Sequence, residues 1–90
     1  METRYRNGQV ALITEKGIRT YYYSDGGLRA AGPFDGKFQG EWKFYRKTGQ
    51  LWVVGHFRDD LKDGVWLTYD RGLKLIKTQL FTRDKEQKKH

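Results

Sequence analysis

Between residues 51 and 57 apolar and small residues alternate with others, so that Leu51, Val53, Gly55 and Phe57 share one side of an extended chain. The segment 28–34 repeats the alternation with Leu28, Ala30, Gly32 and Phe34. Period two with a small residue in the middle suits a strand that a neighbour crosses closely. Polar clusters separate such runs: Asn7-Gly8, Ser24-Asp25-Gly26-Gly27, Lys47-Thr48-Gly49 and Asp63-Gly64. In these, Gly or Asn supplies the positive φ that hairpin turns require. No stretch holds a helical period of convincing length. The pattern predicts strands at roughly 9–14, 18–23, 28–34, 41–45, 51–57, 65–69 and 74–81, with a polar tail beyond about Phe81.

The alternation is part of a longer repeat. Tyr22, Gly26, Leu28, Gly32 and Phe34 recur 23 residues later as Tyr45, Gly49, Leu51, Gly55 and Phe57. Gly40, Trp42 and Tyr45 recur 24 residues later as Gly64, Trp66 and Tyr69, the second loop being one residue longer. Clear copies therefore span about 22–44 and 45–68. A degenerate copy occupies about 5–21, where Gly8 and Val10 resemble Gly26 and Leu28. A partial copy spans 69–81 in one of two registers. One fades through Lys74, Ile76, Thr78 and Leu80, and the other matches Leu75 and Phe81 to Leu51 and Phe57. Terminal repeats lack one neighbour, so atypical ends are expected. The expected organisation is a single repeat domain over 1–82 and a polar basic tail over 83–90.

The block Gly40-Glu41-Trp42-Lys43-Phe44-Tyr45-Arg46-Lys47-Thr48-Gly49-Gln50-Leu51 resembles the MORN repeat variant Gly-x-Trp-x-x-Tyr-x-x-x-Gly-x-Leu, and Asp63-Gly64-x-Trp66-x-x-Tyr69 looks like its next start. The resemblance covers about residues 20–73 well. It implies an all-β fold: an antiparallel meander of stacked β-hairpin repeats forming one elongated, twisted sheet. Bacterial chains of this variant are often labelled YwqK-type antitoxins, and others are scaffolds, dimerisation modules or proposed phospholipid binders. Antitoxins that mask cationic nucleases tend to be acidic, whereas this chain is basic.

Composition narrows the function classes. Ninety residues make one domain with a small core, and an aromatic content of 16% puts that core into rings. Without cysteine there is no disulfide or thiolate metal site. The start, Met1-Glu2-Thr3-Arg4-Tyr5-Arg6, lacks an apolar signal core, and no run approaches a membrane span, so a cytoplasmic protein without a transmembrane segment is expected. A net charge of +7 favours anionic partners, unless the cations only solubilise the sheet and guard its edges.

No catalytic or cofactor-binding constellation is present. His56 has no Ser or Cys pattern near it. The glycines follow the repeat and do not open a helix as a phosphate loop does. Asp35, Asp59, Asp60 and Asp63 lack the ligand ladder of a calcium loop and read as turn residues. Trp42 and Trp66, with Tyr22, Tyr45 and Tyr69, occupy equivalent positions. They form either a stacked ladder inside the fold or an exposed row able to grip a peptide or stack bases. Trp52 breaks the repeat, with Arg29 in its place, and simple alternation puts it opposite Leu51 and Val53 as an interface anchor or a local packing residue. Arg46, Lys47, Arg58 and Lys62 lie on strands and hairpin tips beside the rings and complete the candidate partner-binding set with Trp52, Trp42, Trp66, Tyr45 and Tyr69.

The sheet carries apolar residues on both faces, and one layer cannot cover both. Self-association through a sheet face or edge is therefore expected. The leading expectation is a non-enzymatic protein-interaction module, such as an antitoxin-like or inhibitor partner protein. The alternative is nucleic-acid or anionic-phospholipid binding through the basic, aromatic-rich surface.

Overall fold

A computed structural model describes residues 1–87. Ten strands form one antiparallel sheet: β1 (Glu2–Arg4), β2 (Val10–Glu15), β3 (Ile18–Tyr22), β4 (Leu28–Pro33), β5 (Gly40–Tyr45), β6 (Leu51–Arg58), β7 (Leu61–Lys62), β8 (Gly64–Tyr69), β9 (Leu75–Thr82) and β10 (Lys85–Gln87). Each strand pairs with the next in sequence, except that β7 is a short return beside β6, and β8 pairs with β6 further along. The described residues contain no helix. The sheet measures 49 × 32 × 19 Å. The seven expected strands are all present, and so is the meander.

The repeat is visible in the turns. Tyr5, Tyr23, Arg46 and Asp70 each open a tight turn. In each, the opening N–H donates to the carbonyl of Gln9, Gly27, Gln50 or Lys74, and the opening carbonyl accepts from Gly8, Gly26, Gly49 or Leu73. The last of these positions is left-handed in every copy, with φ of 88°, 92° and 92° at the three glycines and 65° at Leu73. A side chain in that region is disfavoured, so Leu73 is held there by the turn it closes. It also decides the register of the last copy. Leu75 pairs with Tyr69 as Leu51 pairs with Tyr45 and Leu28 with Tyr22. Leu75 and Phe81 are thus the counterparts of Leu51 and Phe57, and the register through Lys74, Ile76, Thr78 and Leu80 is excluded.

The core is an aromatic ladder on one face. Trp42 on β5 lies flat over Gly32 on β4, where a Cβ would sit 2.5 Å from three indole carbons, and Trp66 on β8 covers Gly55 on β6 more closely still. Each indole N–H donates 3.0 Å to the carbonyl just past that glycine, Pro33 for Trp42 and His56 for Trp66. Phe57 meets both indoles edge-on, and Phe81 does the same to Trp66. Phe38 covers Trp42 at 4.9 Å between centroids. One layer of sheet therefore buries Trp42 to 1% and Trp66 to 6% exposure with no second layer on that face. The glycine lets the ring lie against the backbone, and neighbouring rings close over it.

The chain does not leave the sheet after Phe81. It turns at Arg83-Asp84 (φ 47° and 74°) and returns as β10 against β9, as it turns at Asp59-Asp60 into β7. The expected tail is shortened accordingly, and residues 88–90 lie outside the described residues. Period two also fails at Trp52. The register slips between Phe44 and Tyr45, which pair with Val53 and Leu51, leaving Trp52 the extra residue of a β-bulge. Arg29 and Ile76 are its counterparts in the neighbouring hairpins. A bulge re-aims its side chains, so alternation does not assign Trp52 to the face opposite Leu51 and Val53.

Candidate functional site: the basic turn end

A meander places alternate turns at opposite ends of its strands, and the two ends differ in charge. Segments 4–9, 23–29, 46–50 and 70–74 form one end and hold seven cations against two carboxylates. Segments 15–18, 34–39, 58–63 and 82–86 form the other and hold six cations against seven carboxylates. One end thus has a surplus of five positive charges, while the other is nearly balanced.

At the balanced end the carboxylates are tied to neighbouring loops. Asp60 accepts the Phe38 N–H at 2.7 Å, and Asp84 accepts the Lys62 N–H at 3.1 Å. Asp59 accepts from the Gln39 amide at 2.6 Å, and Asp63 accepts from the Arg83 N–H at 3.4 Å. The Asp60 and Asp84 contacts recur at the repeat spacing and join neighbouring loops, while Asp35 accepts from the Lys37 N–H within its own turn. Among the described residues no group of three or more His, Cys, Asp or Glu side chains is arranged to hold a metal.

The basic end is laced differently. The Tyr5 hydroxyl donates to the Tyr22 carbonyl and the Tyr23 hydroxyl to the Tyr45 carbonyl, both at 2.7 Å. Arg46, the counterpart of Tyr23, donates to the Tyr69 carbonyl at 3.1 Å. Tyr45 and Tyr69 are half-buried and take part through their backbone. Arg29 lies 5.8 Å over the Tyr23 ring, while in the next hairpin Arg46 lies 4.9 Å over Trp52. Ring and guanidinium have exchanged places between repeats, and the cation–π contact is retained. The Nε of Arg46 is buried without a hydrogen-bond partner. The two carboxylates at this end are consumed by their own turns, Asp25 by the Gly27 N–H and Asp70 by those of Gly72 and Lys74.

Between these hairpins lies a cleft of about 360 Å³ lined by Tyr23, Arg46, Lys47, Thr48, Trp52 and Arg71, with no acidic residue in its wall. Trp52 is 41% exposed. Lys47 and Arg71 are exposed turn residues with no ion pair among the described residues. Such a surface offers an apolar anchor ringed by positive charge.

The nine candidates therefore divide. Trp52, Arg46 and Lys47 come together at the cleft. Trp42 and Trp66 are buried in the ladder and present no face to a partner. Arg58 and Lys62 belong to the opposite end, where the Lys62 ammonium lies 4.8 and 4.9 Å over the Trp66 and Phe81 rings. Lys62 is the counterpart of Phe38 and covers Trp66 as that ring covers Trp42. Sequence reasoning missed Tyr23 as a wall of the cleft, because its counterpart is an arginine. Arg71 was not singled out, because its distance from Trp52 along the chain hid their proximity.

Residues 38–59 match the family model described as a MORN repeat variant. The matched segment holds Phe38, Gly40, Trp42, Arg46, Gly49, Trp52, Gly55 and Phe57, and so carries the tryptophan of one ladder step, the glycine of the next and part of the cleft wall. No curated protein and no solved structure matches the chain.

Proposed function

We propose that the protein is a non-enzymatic interaction module that binds a partner protein through the turn end holding Trp52. The observation that carries this reading is the contrast among its tryptophans. Two are sealed into the ladder, and the third stands exposed in a cleft lined by Arg46, Lys47 and Arg71. A large exposed ring with arginines beside it is the composition of an interface hot spot. The MORN repeat variant at residues 38–59 supports a binding role. Within that class the resemblance favours an inhibitor- or antitoxin-like partner protein. The test is affinity capture from nuclease-treated source lysate at moderate salt. A specific protein retained by the wild type and lost with Trp52→Ala is the expected result. Retention that disappears with nuclease or rising salt would replace the reading with nucleic-acid or anionic-lipid binding.

Self-association is a second reading with its own observation. On β8 and β9, Val65 and Leu80 are paired and exposed at 43% and 47%, and Ile76 is exposed at 58%. A second copy would cover this apolar strip. Light scattering at high concentration should then show a species larger than the monomer, which Leu80→Glu dissociates. A strictly monomeric species would refute it.

A further inference from the structure

We infer that the surface engaged at the basic turn end is acidic: a polypeptide segment carrying carboxylates interspersed with apolar side chains. The inference rests on the interaction-module reading and specifies its partner's chemistry. Charge comes first. The seven cations at this end face two carboxylates, both already bound by turn N–H groups, and only Arg4 has an ion-pair partner, Glu2 on its own strand, so most of the excess field is uncompensated by the chain itself. Arg6, Lys47 and Arg71 hold the equivalent position in three of the four turns, and Ser24 holds it in the remaining one. Successive turns are two strands apart, so Lys47 and Arg71 stand roughly 10 Å apart, with Arg6 about twice that distance away beyond the Ser24 turn.

Apolar exposure comes second. Leu28, Trp52, Leu73, Leu75 and Ile76 are exposed at the same end, by 38% to 58%. Leucine and isoleucine offer no stacking surface to a base, whereas they match the aliphatic side chains of a peptide. The rings themselves are partly taken. Trp52 and Tyr23 each carry a guanidinium over one face, and the Tyr23 hydroxyl is bound to the Tyr45 carbonyl. A row of free rings for successive bases, which sequence-tolerant nucleic-acid binding uses, is absent from the described residues at this end. Cations beside exposed aliphatics and one indole suit a segment in which Glu or Asp alternates with Leu-like residues.

The probe is a labelled peptide alternating glutamate with leucine, titrated against the whole protein by fluorescence anisotropy. Its glutamine counterpart, labelled oligo-thymidylate and phosphatidylserine-containing vesicles serve as competitors. The wild type should bind the acidic peptide and not the amide version, a comparison that needs no variant. Lys47→Glu with Arg71→Glu should weaken binding by about tenfold or more, whereas Lys37→Glu with Arg58→Glu, the same charge change at the other end, should leave it within about twofold. Equal losses from both pairs, preference for the oligonucleotide or vesicles, or no peptide binding would overturn the inference. Lysate capture separates its failure from that of the underlying reading. A protein retained equally by the wild type and the Lys47→Glu/Arg71→Glu variant preserves the module and removes the basic end as its contact. If only oligonucleotide or vesicles are retained, both fall.

Discussion

The interior steps of the aromatic ladder and its first step occupy equivalent positions with different chemistry. In the interior a tryptophan lies on a glycine, Trp42 on Gly32 and Trp66 on Gly55. In the first step Arg19 takes the tryptophan position and Thr14 the glycine position, and the pair is joined by a 2.9 Å hydrogen bond from Arg19 Nε to the Thr14 hydroxyl. The Arg19 guanidinium lies 3.6 Å over Phe34, the place an indole edge takes against Phe57 and Phe81. Both members of the step changed together. The unit that repeats is therefore a coupled pair, a flat group and the hollow that receives it.

The same exchange of ring for cation recurs at Phe38 and Lys62, at Tyr23 and Arg46, and in reverse at Arg29 and Trp52. It changes how the net charge is understood. Arg19, Arg29, Arg46 and Lys62 each lie over a ring of this chain. Part of the positive charge is thus structural, and two of these four cations, Arg29 and Arg46, belong to the basic turn end.

The largest break in the comparison should come from the interior. Trp66→Ala removes a buried indole and its bond to the His56 carbonyl, and should cost about 3–5 kcal/mol in urea unfolding, enough to threaten a domain of this size. Arg19→Ala, at the equivalent place in the first step, should cost only about 1–2 kcal/mol, the worth of a hydrogen bond and a cation–π contact. Equal costs would mean that the ladder is not what holds the sheet. Gly55→Ala follows, at about 1–3 kcal/mol, because the added methyl collides with the Trp66 ring, whereas Gly36→Ala meets no atom within 4 Å of its new methyl and pays only for backbone strain at φ 107°. A double-mutant cycle sharpens the point. Thr14→Gly with Arg19→Trp should be more stable than the two single changes predict, by about 1 kcal/mol, since together they rebuild an interior step. The smallest effect is at Leu73, where Gly should raise stability by about 0.5–1 kcal/mol by relieving the left-handed side chain, net of glycine's entropy.

Much of the fold was legible because its signals are local. Gly32 and Gly55 in the middle of period-two runs announced the close crossing, and the spacing of Trp42 and Trp66 marked them as equivalent positions while leaving open whether they were buried or exposed. What stayed hidden depends on pairing between strands. The bulge that leaves Trp52 without a cross-strand partner follows from a register slip against Tyr45, which no single-strand pattern records. β10 was missed because Lys85, Glu86 and Gln87 are polar, although they pair with Thr82, Phe81 and Leu80 as β7 does with β6. At the cleft, Trp52, Arg46 and Lys47 were recognisable as candidates. Arg58 and Lys62 were grouped with them because basicity alone does not tell one end of a strand from the other.

The central claim is that the ladder closes over its own tryptophans and leaves Trp52 as the exposed one. Acrylamide quenching of the Trp52→Phe variant tests it directly, since all remaining indole emission then comes from Trp42 and Trp66. The account predicts blue-shifted emission that acrylamide barely reaches, while the wild type retains a readily quenched component. Emission in the variant that is quenched as easily as that of free tryptophan would contradict it, showing that the aromatic face is open and is itself the surface awaiting a partner.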